Sequence, residues 1–181
     1  GLTMTCAAHV QAIGKGFPGQ LGVFSDQHLE GLKRLASKIQ MNDSVAICQL
    51  HHAGMRSPKE LIGKAPVCPS VNEKFNARAL TSKEVETLRD DFIGAAIRSE
   101  LAGFDGVELH AAHGYMIAQF LSAGINKRQD DYGQTLNNRC RLLFEIIDGI
   151  RKECSKGFMV GVRLSPERFD MKLQEVTIIA Q

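Results

Sequence analysis

Four times along this chain a short strand-like run gives way to a loop and then to a segment with helical spacing. The strands read as Gly1–Cys6, Val45–Leu50, Gly106–His110 and Phe158–Leu164. Between them, apolar residues recur every three or four positions: Leu29, Leu32, Leu35, Ala36 and Ile39, then Val85, Leu88, Phe92, Ala95 and Ala96, then Leu143, Ile146, Ile147 and Ile150. Leu173 to Gln181 reads as the start of a further amphipathic helix. Such alternation argues for a parallel sheet with right-handed crossovers. The long loops fall only after strands. Residues 7–24 hold Gly14, Gly16, Pro18, Gly19 and Gly22, and residues 52–80 hold Gly54, Pro58, Gly63, Pro66 and Pro69. That asymmetry favours an α/β fold of the partial (β/α)8 TIM-barrel type, about four consecutive β/α units of eight. No glycine-rich dinucleotide fingerprint follows any strand, which weakens the doubly wound alternative. A full barrel needs about 250 residues, and this chain has 181. It opens directly on a strand and stops in an uncapped helix, so residues 1–181 read as one partial-barrel domain cut at both ends.

Local signals sharpen the boundaries. Ser25 and Asn137 are candidate helix caps, and Asn42-Asp43 ends the first helix. Thr81-Ser82-Lys83-Glu84 is a capping box, and Gly103 closes the helix it opens. The composition, 44% hydrophobic and 23% charged, is that of an ordinary soluble α/β protein. A net charge of +2 with no dense basic patch argues against nucleic acid, and no apolar run is long enough to span a bilayer. Cys6, Cys48, Cys68, Cys140 and Cys154 form no close-spaced pair, which suggests reduced thiols and a cytoplasmic setting. Cys6 stands out because it falls near the end of the first strand.

The chemistry gathers at the strands' carboxyl ends, the active face of such barrels. The first strand presents Cys6 and Ala7, the second Gln49, His51 and His52, the third Glu108, His110, His113 and Tyr115, and the fourth Arg163 and Ser165. This mixture of amide, imidazole, phenol and guanidinium is poor for a hard cation. His51, His110 and His113 could in principle suit zinc, although their spacing does not guarantee convergence. The mixture suits an uncharged heterocycle and a carbonyl substrate better. Gln49 offers a donor and an acceptor to a ring imide, and Arg163 a fixed positive fork to a ring that becomes anionic on reduction. Two imidazoles can donate to a carbonyl oxygen as negative charge develops there, and Tyr115 can deliver a proton.

The motifs resemble a known family. They are Gln49-Leu50-His51-His52-Ala53-Gly54, the run from Ala102 through His110-Ala111-Ala112-His113-Gly114-Tyr115, then Gln119-Phe120-Leu121-Ser122, Asn126-Lys127-Arg128, Asp130-Asp131-Tyr132-Gly133, Asn138-Arg139 and Gly161-Val162-Arg163-Leu164-Ser165-Pro166. Together they are similar to the old yellow enzyme family of NADH:flavin oxidoreductases, in its bacterial branch with histidines three apart. The resemblance covers essentially the whole chain. It implies flavin mononucleotide (FMN) as cofactor, NAD(P)H as reductant and reduction of the activated C=C bond of α,β-unsaturated carbonyl or nitro compounds. It implies that Ala7 lies at the flavin edge through its backbone, Gln49 bonds the pyrimidine side, and Arg163 sits by flavin N1 and O2. His110 and His113 would bind the activating oxygen, Tyr115 would be the proton donor, and the 130–133 loop would brace the mouth.

The sequence also departs from the family pattern. Met55 stands where arginine is common, with Arg56 one place later, Ala123 replaces a proline, and Gln134, Thr135 and Asn137 replace glycine, serine and glutamate. Relative to the family, one strand is missing before this chain's first, and three strand–helix units with the phosphate site are missing after its last. Arg163 is expected to face the barrel interior and to pair with Glu108. The partners expected are small molecules, with neither nucleic acid nor membrane, and exposed barrel edges are compatible with a homo-oligomer. Two other readings stay open, a non-catalytic partial barrel that serves association and a metal-dependent barrel hydrolase.

Overall fold

The computed structural model describes residues 1–5 and 7–181. Cys6 lies outside the described residues. The elements run β1 (Leu2–Met4), β2 (Ala8–His9), α1 (Leu29–Gln40), β3 (Val45–His51), α2 (Lys59–Ile62), β4 (Val67–Cys68), β5 (Arg78–Ala79), α3 (Ser82–Leu101), β6 (Gly106–Ala111), α4 (Met116–Leu121), α5 (Leu136–Glu153), β7 (Met159–Leu164) and α6 (Leu173–Ile179). The main sheet is parallel, in the order β1-β3-β6-β7, and β2 also pairs with β3. The expected first strand is present as β1, and the stretch expected as loop after it opens with a second short strand, β2; both lie along β3. The expected partial barrel of β/α units is present, with β1 and β7 at the two ends of the strand order.

The sheet's outer face is the hydrophobic core. Cys48, Leu50, Val107 and Leu109 point to that side and are fully buried with Leu32 and Ala36 of α1, Leu88 and Phe92 of α3, and Leu143 and Ile146 of α5. Burying each such Leu, Ile or Phe side chain stabilises the fold by about 1.5–3 kcal/mol. All five apolar positions expected on α3 are buried. Its capping box forms, with Thr81 Oγ1 accepting from Glu84 N–H and Glu84 accepting from Thr81 N–H. Gly103, at φ +86°, follows its end.

Two expected caps are corrected. Thr135, not Asn137, caps α5, its side chain accepting from Asn138 N–H. Ser25 leads into a 3-10 turn, Asp26–His28, with no capping bond, and its hydroxyl is buried without a partner. The long loop after β3 contains α2 and the small β4–β5 pair. Arg128 holds that loop to its neighbours. Its guanidinium donates to Pro69 O and Leu80 O and pairs with Asp130, which also accepts from Ser82 at the start of α3. Cys48, Cys68, Cys140 and Cys154 are free thiols.

Candidate active site

The sheet's inner face carries the polar residues, because strand side chains alternate. The register fixes two rows on it. Gln49, Glu108 and Gly161 stand side by side in one. One step towards the carboxyl ends, His9 is paired with His51 and His110 with Arg163, and the His51 and His110 rings lie 5.4 Å apart.

Tyr115 closes over this second row. Its ring lies 4.4 Å from His51 and 5.0 Å from His110, edge-on to both. His113 sits 5.0 Å from His110 and 6.5 Å from Tyr115. His110, His113 and Tyr115 therefore converge, and His51 joins them as a fourth ring. His113 adopts φ +59°, uncommon outside glycine. Its N–H donates to Ser165 Oγ at the end of β7, and its carbonyl accepts from Arg56 Nη1 at 2.6 Å. The Arg56 guanidinium also lies 5.1 Å over the Tyr115 ring.

Burial keeps His51 and His110 uncharged. Desolvation and the neighbouring histidines hold His51 down to about 3, and desolvation, His113 and Arg163 hold His110 down to about 4. His113 is lowered too, by desolvation and then by Arg163, Arg56 and Arg168. Ala112 N–H donates to His110 Nδ1 at 3.4 Å, so the neutral ring carries its proton on Nε2, free to donate elsewhere. His51 Nδ1 is buried with no partner.

Behind the rings lies a set of amides that the sequence reading passed over. Gln119 is fully buried. It accepts from Met55 N–H at 3.2 Å and donates to Ala53 O at 3.2 Å and to Gly114 O at 2.9 Å. It thus ties the loop after β3 to the loop that carries His113 and Tyr115. Gly54, at φ +63°, leaves room for it, since a Cβ there would meet the Gln119 amide. The signal was present, because one amide interrupts the otherwise apolar α4 run Met-Ile-Ala-Gln-Phe-Leu. His52 points away from the rings. Its Nδ1 accepts from Gly54 N–H, so its Nε2–H donates to Gln11 Oε1, and Gln11 in turn donates to Asp91. Full burial holds His52 near 3.

The remaining expected residues are placed as follows. Gln49 is buried, and its Nε2 donates to Glu108 Oε1 at 2.6 Å, which leaves its Oε1 free to accept. The expected Glu108–Arg163 pair does not form. The register sets Glu108 beside Gly161, and Gln49 takes its carboxylate. Arg163 lies on the inner face beside His110, exposed and in no ion pair among the described residues. Ala7 is buried, and its carbonyl accepts from Gln20 Nε2 at 2.8 Å. Among the described residues no group of three His, Cys, Asp or Glu is arranged to hold a metal, and no helix is long and apolar enough to cross a membrane.

The chain is 42% identical over 175 residues to a probable NADH-dependent flavin oxidoreductase of Bacillus subtilis, covering 92% of this chain and 47% of that protein. It is 43% identical over 153 residues to an NADPH dehydrogenase of Bacillus cytotoxicus, covering 84% of this chain and 44% of that protein. An old yellow enzyme homologue from Zymomonas mobilis superposes with a TM-score of 0.85 at 32% identity, over 91% of this chain and 50% of that one. A 2-naphthoyl-CoA reductase in complex with 2-naphthoyl-CoA superposes equally well, at 0.85 and 33% identity, over 90% of this chain and 27% of that one. The chain spans about half the length of the curated relatives it matches. With residues 1–180 matched by the NADH:flavin oxidoreductase / NADH oxidase family, whose flavin is FMN and whose reductant is NAD(P)H, the chain belongs to that family of old yellow enzyme relatives.

Proposed function

We propose that this chain forms the catalytic part of an FMN-dependent reductase that uses NAD(P)H to saturate the activated C=C bond of α,β-unsaturated carbonyl or nitro compounds. The observation that carries the reading is the convergence of His110, held neutral by burial, with His113 and Tyr115 on one mouth. A neutral imidazole donates a hydrogen bond without bringing a charge that would bind anions indiscriminately. In this reading His110 Nε2–H and the His113 ring hold the substrate's carbonyl or nitro oxygen and stabilise the charge that develops there. Tyr115 Oη delivers a proton to the carbon next to that group.

The residues present fit a flavin. Gln49 keeps a free acceptor for a ring N–H, and Arg163 keeps its whole fork for an anionic ring edge. His51 Nδ1 offers a further unused polar atom nearby. Ala7 has its carbonyl engaged by Gln20, so its contact with the ring would run through its N–H or methyl group. When bound, FMN supplies the hydride taken by the β-carbon. The protein's residues orient the acceptor, hold its oxygen and give the proton.

The test is the two half-reactions, followed separately in the FMN-loaded protein. Tyr115→Phe should slow substrate reduction by the reduced flavin roughly 10²–10⁴-fold. Flavin reduction by NAD(P)H should stay near normal. Equal slowing of both steps would remove Tyr115 from the role. Absence of flavin absorbance bands in the purified protein would remove the reading as a whole.

A further inference from the structure

One side of the mouth carries positive charge that no carboxylate balances. Arg56 is exposed, and among the described residues its guanidinium makes one hydrogen bond, Nη1 to His113 O, which uses one of its five N–H donors. No acidic group lies within ion-pair distance of it among the described residues; Arg163 across the mouth is unpaired too, whereas Arg78, Arg89, Arg98, Arg128 and Arg139 are paired. Arg168, also exposed and in no ion pair among the described residues, is one of the charges that lower His113. Beyond Arg56 opens a cavity of about 330 Å³, walled in part by Lys59, Ser57, Phe75 and Asn76, with no acidic residue in its lining. The Ser57 hydroxyl there is buried and has no partner.

We propose that Arg56, with Lys59 lining the same cavity, is the counter-ion site for a carboxylate on the substrate, so that the unsaturated carbonyl compound reduced here is an anion. The proposal rests on the reading of His110, His113 and Tyr115 as the carbonyl site, and it names the substrate class for that site. Arg56 is already fixed by its bond to His113 and by its seat on the Tyr115 ring, so little side-chain freedom is lost when it takes a carboxylate. Its free N–H groups match the two oxygens of a carboxylate. The neutral imidazoles add no competing charge, and the unbalanced guanidinium steers anions towards the mouth. A phosphate oxyanion of the reductant would satisfy the same chemistry, so the experiment must separate the two.

The test titrates the 181-residue chain with succinate, dimethyl succinate and inorganic phosphate, following the imidazole resonances of His51, His110 and His113. Succinate should bind at least tenfold more tightly than its neutral ester and more tightly than phosphate. Arg56→Gln should erase the preference, and Arg56→Lys should retain part of it. Equal affinity for dianion and ester overturns the proposal, as does an Arg56→Gln variant that keeps the preference with an unchanged melting midpoint. Phosphate binding that exceeds succinate binding assigns the oxyanion to the reductant and overturns the substrate assignment. No binding of any probe overturns it as well. Failure of the Tyr115 half-reaction test, with Arg56-dependent succinate binding intact, would sink the carbonyl-site reading and leave the anion site standing.

Discussion

The carboxyl ends of β6 and β7 are neighbours in the sheet, yet they are built differently. β6 is buried along nearly its whole length, and each ring at its end is held by more than one contact. β7 alternates exposed and half-buried residues, and its inner face offers Met159, Gly161 and Arg163 to open space. The physical cause is neighbour count. β6 has a strand on each side and helices over its outer face, whereas β7 is paired only with β6. Order on the β6 side comes from packing on both sides, and among the described residues Arg163 has no ion pair.

The comparison can be tested from its largest expected effect downwards. Acid should damage the β3–β6 side first. His51 and His52 near 3 and His110 near 4 refuse protons that the unfolded chain accepts from its ordinary value of 6.5. Stability is fully present above pH 6.5 and is lost as pH falls towards those lowered values, at roughly 1.4 kcal/mol per group for each pH unit crossed. Urea midpoints at pH 7.5 and pH 5 measure this, and equal midpoints would deny that these imidazoles are buried and neutral.

Gln119→Leu should follow in size. It leaves Met55 N–H, Ala53 O and Gly114 O without their partner, at about 1–3 kcal/mol for each group left buried and unsatisfied. A midpoint shift worth less than about 1 kcal/mol would mean water replaces the amide.

Two glycines then separate the strands. A Cβ on Gly106 would strike the Met159 carbonyl at 2.4 Å, so Gly106→Ala should cost about 1–3 kcal/mol by forcing β7 away. At Gly161 a Cβ meets only ordinary contacts near 4 Å with Glu108. Gly161→Ala should be neutral or slightly stabilising, by up to about 1 kcal/mol. Equal costs at the two positions would erase the contrast. Smallest of all, Arg163→Ala should change stability by less than about 0.5 kcal/mol, since the guanidinium has no ion-pair partner here. A larger loss would reveal a structural role for Arg163.

Much of this was legible in the sequence, for reasons that differ by residue. The apolar stripe of α3 and the Thr81–Glu84 box are local periodic signals, and they formed as read. Caps were less secure. Thr135 and Asn137 are both suitable residues two positions apart, and only the actual first turn of α5 selected Thr135. The pairing of Glu108 was misread because alternation tells which face a residue takes, while its partner depends on register across strands. Register set Gly161 beside Glu108 and left Gln49 to take the carboxylate. Gln119 was passed over because one amide in a short apolar helix carries no periodic signal, although it proved to be the tie between two loops.

By itself the sequence determined what depends on neighbours along the chain: the alternation of strands and helices, the faces they bury, and the motifs that mark the family. It also determined that His110, His113 and Tyr115 fall at one strand's end. The tertiary structure alone decided what depends on distance through space. It packed His51 and Arg56 against Tyr115, kept His51 and His110 neutral by burying them, took Glu108 away from Arg163, and left Arg56 without a counter-charge among the described residues. Desolvation and charge–charge contact act between atoms that are far apart in sequence, so no pattern along the chain encodes them.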